Sequence, residues 1–246
     1  MASETRTIAL VTGANGGIGY EVSKRLAGEF NYHVLLAGRR QDAVRESAES
    51  LKKLGLSVEP LLLDITSDES IRAAADLVEK EHGHLDVLVN NAAISTVTGP
   101  SVSKRLAWQK MFDTNILGAA AVTDAFLPLL SKAPHTKRII FLSSVVGSLS
   151  KWADIGDMVR GMRGVEAYAI CKTGLNMLCL QYSAAHADDP SFKFNSCCPG
   201  WCSTAINGFS GPDPPSVGAE IVCRLATNGS DAESGTFSAK EGPVPW

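Results

Sequence analysis

Short β-branched runs alternate with helix-patterned stretches along almost the whole chain. The runs fall at residues 7–12, 33–37, 58–63, 85–90, 138–143, 192–198 and 235–238, about seven strands in all. Between them the spacing predicts helices over 18–29, 41–54, 67–82, 103–130, 166–187 and 215–227, with 241–246 left as a tail. Ser67 is placed to cap its helix, and Asp68 and Glu69 complement the dipole there. Most of the strands are apolar throughout rather than alternating, so both of their faces must be covered, which points to a parallel sheet. Right-handed crossovers then wind that sheet into an open α/β sandwich with helices on both faces. At about 150 residues per domain, 246 residues allow one or two domains. No linker, repeat or low-complexity tract divides the chain, so residues 1–246 are read as a single domain.

Composition removes several function classes. The 23 basic and 26 acidic residues leave a charge of −3, without the basic excess of a nucleic-acid binder. A hydrophobic share of 45% excludes disorder. Residues 1–7 are polar and carry no leader pattern. The longest apolar stretch, 116–130, is interrupted by Thr123, Asp124 and Pro128 and falls short of the roughly 20 residues of a membrane span. A cytoplasmic protein without membrane or nucleic-acid partners is expected. The six cysteines lie late, and Cys197-Cys198-x3-Cys202 does not match zinc spacing, so reduced core thiols are expected. The five histidines are scattered, none in a ligand motif, and no metal is expected.

Thr12-Gly13-Ala14-Asn15-Gly16-Gly17-Ile18-Gly19 sits where the first strand gives way to a helix. Gly13 suits the tight turn, Gly17 the approach of a pyrophosphate, and Gly19 close helix–strand packing. The helix start offers free N–H groups to phosphates, so Gly13, Asn15, Gly17, Ile18 and Gly19 are candidate dinucleotide ligands. A site for NAD would place an acid at the end of the second strand. Here Leu36-Ala37-Gly38-Arg39-Arg40 has none. A guanidinium at Arg39 suits a 2′-phosphate, which points to NADP(H). Further on, Tyr168-x3-Lys172 puts a phenol and an ammonium on one helix face. The cation is expected to lower the phenol from its ordinary value near ~10 and bring it closer to useful acid–base work.

With these motifs in order, the sequence resembles the short-chain dehydrogenase/reductase family over nearly its whole length. The motifs are Thr12-Gly13-x3-Gly17-x-Gly19, Asp64, Asn90-Asn91-Ala92, Asn115, Ser143-Ser144, Tyr168-x3-Lys172 and Pro199-Gly200. Leu63-Asp64-Ile65, Pro199-Gly200-Trp201 and the Pro243-Val244-Pro245-Trp246 ending resemble the carbonyl-reductase type of NADPH enzyme. The resemblance implies a Rossmann-type, doubly wound sheet and a small-molecule carbonyl substrate. It also implies a role for each matched residue. Tyr168 would protonate the carbonyl oxygen as hydride arrives, and Ser144 would hold that oxygen. Lys172 would tune Tyr168 and bind the nicotinamide ribose, and Asn115 would position a water beside Lys172. Asp64 would meet the adenine, Asn90 the adenosine side, and Thr204 the carboxamide or a phosphate. Ser143 is the competing serine and is expected to point elsewhere.

Two departures stand out. Ala93 replaces the glycine usual after Asn-Asn-Ala, and Ser144 and Tyr168 are farther apart than in most members. The extra residues fall within 148–165, an insertion carrying Trp152, Met158, Val159 and Met162. It leaves both a monomer and a homodimer open, and suits either a site-covering flap or a plain surface loop. Residues 201–215 form a candidate substrate loop, with Trp201, Ile206 and Phe209 as apolar wall and Gly208 and Gly211 as hinges. The reaction expected is NADPH-dependent reduction of a ketone or aldehyde. Oxidation of an alcohol with NADP+ is the alternative. A non-redox NADP(H)-binding protein would need a broken Asn115–Ser144–Tyr168–Lys172 set, and all four are present.

Overall fold

The structure is a computed structural model that describes residues 6–96, 99, 102–154, 164–229 and 232–246. One sheet runs through it: β1 (Ile8–Val11), β2 (His33–Gly38), β3 (Val58–Leu62), β4 (Val87–Asn90), β5 (Lys137–Leu142), β6 (Phe192–Cys198), β7 (Thr236–Ala239) and β8 (Gly242–Pro243). Their order is β3-β2-β1-β4-β5-β6-β7-β8, and every pairing is parallel except β7 with β8. The chain winds outward from β1 to β3, then returns to lay β4 on the other side of β1. That reversal makes β1/β4 the switch point, where crevices open at the strands' carboxyl ends.

Strand parity divides the core in two. Leu10, Leu35, Leu88, Ile139 and Phe141 face one side, where α3 (Asp68–His82), α5 (Ala119–Ser131) and α7 (Glu166–Ala185) cover them. Val11, Val34, Val89, Ile140 and Leu142 face the other, under α1 (Gly17–Glu29), α2 (Gln41–Lys52) and α8 (Pro215–Thr227). Of two shorter helices, α4 (Lys104–Phe112) packs on α7 through Met111, Ala167 and Cys171, and α6 spans Leu149–Ala153. Ser67 caps α3 through its hydroxyl, which accepts from the Ser70 N–H.

The structure corrects the sequence reading in two places. The sheet has eight strands rather than about seven, because the supposed tail turns back at Gly242 and pairs Ala239 with Gly242 and Ser238 with Pro243. A two-residue strand has no period to read, and its proline offers no ladder donor. Trp246 then seats its ring 5.5 Å from that of Phe237. The helix expected over 103–130 is instead α4, a π turn over Asp113–Gly118, and α5. The unbroken helical stretch Lys104–Ser131 is long and apolar enough to cross a membrane by length and composition alone. Here its Phe126, Leu129 and Leu130 are buried in the first core layer.

All six cysteines are free and buried, as core thiols should be. Burial pushes Cys171 up to about 11 and both Cys179 and Cys223 up to about 12, from an ordinary 9.0. Unfolded thiols therefore release protons at lower pH than folded ones, and stability is lost as pH rises through that window. Lys172, lowered to about 8, works in the opposite sense but is one group against three. The urea midpoint should fall between pH 9 and about 11. A midpoint that holds or rises would mean the thiols are not buried.

Candidate active site

A cleft with a cavity volume of about 1270 Å³ opens at the carboxyl ends of the strands. Gly13, Asn15, Gly17 and Ile18 line one end with Arg39 and Asp64, while Ser144, Tyr168 and Lys172 line the other. Thr204 closes the roof between them. Gly13 sits at φ 63°, and a Cβ there would stand 2.8 Å from the Ala92 Cα, so this turn admits no larger residue. Thr12 pins the turn to β4. Its hydroxyl oxygen accepts from the Asn91 and Ala92 N–H groups, and the Asn91 amide donates to the Thr12 and Gly13 carbonyls.

The turn is built to receive an anion. No side chain caps α1 and no acid stands in its first turn, so its leading N–H groups keep their positive potential. In contrast, α2 carries Asp42 in its first turn and α3 carries Asp68 and Glu69. Arg39 and Arg40 are exposed at the rim. Burial alone would raise the Asp64 carboxyl, but hydrogen bonds from Thr66, helped by the Arg39 charge, outweigh it and hold it below its ordinary value. Glycine cradle, bare helix start and paired guanidinium groups together fit a phosphorylated dinucleotide.

At the other end α7 presents Tyr168 and Lys172 one turn apart. The Lys172 Nζ lies 5.3 Å from the Tyr168 ring centroid and donates to the Leu142 carbonyl. Burial lowers Lys172 to about 8 and raises Tyr168 above its ordinary 10.0. Burial, joined by Cys198 and Cys171, sets a direction opposite to the lowering expected from the cation. Ser144 begins a 3-10 turn over Val145–Gly147, with its Oγ accepting from the Val146 N–H at 3.4 Å. The Ser143 hydroxyl is turned to the Lys172 carbonyl. Gly147 touches α7 so closely that a Cβ would stand 2.7 Å from the Lys172 carbonyl carbon.

Three of the candidate residues do not line the cleft. Asn90 is buried, with its amide on the Thr123 hydroxyl. The signal was available: Asn90 shares strand parity with Leu88, which faces α5. Gly19 is a packing residue, where a Cβ would meet the Asn91 amide at 2.5 Å. Asn115 lies buried in the π turn and exchanges two hydrogen bonds with the Ile94 backbone, at 2.8 and 2.7 Å. Ile94 and Glu241 line the cleft without having been singled out from sequence, as does Asn91, which stands in the Asn90-Asn91-Ala92 motif but was given no role.

The loop over 201–215 is internally bonded. Ser203 donates to the Asp213 carbonyl, Phe209 to the Thr204 carbonyl, and Asn207 completes a capping box with Thr204. Ser95 reaches across from the segment after β4 to the Ile206 carbonyl. Trp201 and Ile206 line the cleft, but Phe209 does not. Gly208 adopts φ 62° as the C-cap of the 3-10 turn, while Gly211 rests against the Cys202 backbone rather than swinging free. In the insertion, Ser148 and Ser150 bond to the Pro245 and Trp246 carbonyls, and Trp152 Nε1 donates to Val146. Met158, Val159 and Met162 lie outside the described residues.

A family model described as short chain dehydrogenase matches residues 7–214. Carbonyl reductase [NADPH] 1 of Bos taurus is 32% identical, over 99% of this chain and 100% of its own. Short-chain dehydrogenase anuI of Penicillium roqueforti is also 32% identical, over 95% of this chain and 93% of its own. Salutaridine reductase from Papaver somniferum superposes with a TM-score of 0.81 at 26% identity, over 96% of this chain and 100% of that one.

The tight Gly147 contact generates a test. Gly147→Ala should push the Ser144 turn off α7 and lower kcat by roughly 10²-fold, since small misplacements of a catalytic set are costly. Steady-state turnover alongside nucleotide binding measures it. An unchanged kcat would mean the contact does not position the site.

Proposed function

The chain belongs to the short-chain dehydrogenase/reductase family and is an NADP-dependent oxidoreductase; we propose that it reduces a ketone or aldehyde to an alcohol. The observation that supports this reading is the cleft, which brings Ser144, Tyr168 and Lys172 to one end of a cradle suited to NADP(H), and the reducing direction follows the carbonyl reductase [NADPH] relatives. NADPH supplies the hydride when bound.

The chain's own residues do the rest. The α1 start with Gly13, Asn15, Gly17 and Ile18 holds the pyrophosphate, and Arg39, with Arg40 beside it, takes the 2′-phosphate. Asp64 contacts the adenine end and Thr204 the carboxamide or a phosphate. Gly19 and Asn90 shape the wall from behind rather than touching the ligand. Ser144 donates a hydrogen bond to the substrate oxygen and orients the carbonyl, and Tyr168 delivers the proton to that oxygen. Lys172 binds the nicotinamide ribose and supports reprotonation of Tyr168, which its lowered value favours. Asn115 positions a water beside Lys172 while its amide steadies the Ile94 segment. Ile94, Trp201 and Ile206 give the substrate end an apolar wall, which favours a bulky, weakly polar carbonyl compound. Gly164, Val165 and the 201–215 loop frame its entrance, within one domain over 1–246.

A panel of ketones, aldehydes and quinones tests the activity, with NADPH expected to be consumed far faster than NADH. Tyr168→Phe should lower kcat by about 10²–10⁴-fold with NADPH binding retained. A fully active variant would remove Tyr168 from the mechanism. Arg39→Asp should weaken NADPH much more than NADH, and equal loss of both would sink the 2′-phosphate assignment.

A further inference from the structure

A second hollow, about 730 Å³, lies at the opposite end of the sheet, where β2 and β3 begin and α3 ends. The six residues of β2, His33–Gly38, put roughly 17 Å of strand between it and the cleft. Three side chains converge there from rigid supports: His33 opens β2, Glu59 lies on β3, and His82 closes α3. One donor atom from each lies within 4.8 Å of the other two.

The distances are also compatible with a metal ion held between the three groups. His33 Nε2 is 3.4 Å from Glu59 Oε1, and His82 Nε2 is 3.5 Å from Glu59 Oε2. Tetrahedral ligands on bonds of about 2.0–2.1 Å stand about 3.3–3.4 Å from one another. The two imidazoles approach different oxygens of one carboxylate, so a single ion would sit between them with both Glu59 oxygens turned toward it. A second observation is independent of this spacing. The His33 Nε2 is buried and has no hydrogen-bond partner, although its Nδ1 lies 2.9 Å from the Ser57 Oγ. An Nδ1–H given to Ser57 leaves a bare Nε2 lone pair aimed at the trio. Metal-binding histidines are held in this way, with the distal N–H on an oxygen partner. A buried acceptor without a donor is costly, and a cation would satisfy it.

We propose that His33, Glu59 and His82 bind one divalent transition-metal ion, as a staple joining β2, β3 and α3. Two imidazoles and a carboxylate suit zinc, nickel, copper or cobalt rather than magnesium or calcium. Water completes the coordination from the open side of the hollow. His84 is occupied by Asp86, and Glu81 by Lys80, so neither competes. Arg6 also lines the hollow, and its exposed guanidinium is the one opposing charge among the described residues there.

The test uses the full chain, stripped with a chelator and titrated with Zn²⁺ by calorimetry. One site per chain is expected, with no heat from Mg²⁺, and zinc should raise Tm by roughly 5 °C or more. Co²⁺ in place of zinc should give ligand-field bands without thiolate charge transfer, which separates this trio from the six cysteines. His82→Gln and Glu59→Gln should each weaken zinc by more than about tenfold, and Ser57→Ala by about tenfold, with NADPH turnover unchanged. Absence of a zinc site, thiolate bands with Co²⁺, or wild-type affinity in His82→Gln would each overturn the proposal.

Discussion

The Thr12 hydroxyl holds the two strands of the switch point in register beyond the sheet. After β1 the chain turns toward the face carrying α1, and after β4 it turns toward the face carrying α5. The two loops would part freely at this point. Instead Thr12 accepts from Asn91 and Ala92, and Asn91 returns two hydrogen bonds to the carbonyls of Thr12 and Gly13. Four bonds in a partly buried crevice fix the glycine turn against Ala92, and everything above it inherits that geometry. The α1 start is aimed, Ile94 is set where Asn115 can hold it, and Ser95 can reach Ile206 across the opening.

Burial governs the other end of the cleft. An exposed Tyr–Lys pair would be ruled by charge, with the ammonium favouring phenolate. With Lys172 packed between the Leu142 carbonyl and the Gly147 turn, and Tyr168 partly buried beside it, both groups are pushed toward their neutral forms instead. The phenol keeps its proton and the lysine gives one up more readily. On the proposed reading, Tyr168 gives up a proton and regains it with the help of Lys172.

The parts of this structure that rest on repeating patterns were legible in the sequence. Seven strands, the helices around them and the Ser67 cap follow from periodicity and local chemistry, and the glycine turn and Tyr168–Lys172 pair follow from fixed short spacings. What escaped has no short-range signature. The π turn at Asn115 adds one residue to a helix without changing its composition. β8 is too short to have a period. The raised phenol depends on packing from β5, the Val145–Gly147 turn and α7 together. Asn90 is a different case, since strand parity pointed it at α5 while motif order pointed it at the ligand, and parity agrees with the hydrogen bond it makes. Positions 33, 59 and 82 are too far apart to read as a ligand set until the sheet brings them together.

Anion selection likewise turns on local arrangement. A net charge of −3 would repel a polyphosphate at long range, yet salt screens that repulsion beyond about 8–10 Å. Within that distance the sign is set by individual groups. Neighbouring helices α2 and α3 spend their N-terminal potential on their own acids, while α1 leaves its potential open beneath Thr204. Arg39 stands beside an Asp64 that the Thr66 bonds keep anionic, so part of its charge is already balanced. On the proposed reading, Arg39 takes the 2′-phosphate and the exposed Arg40 adds to the positive charge there.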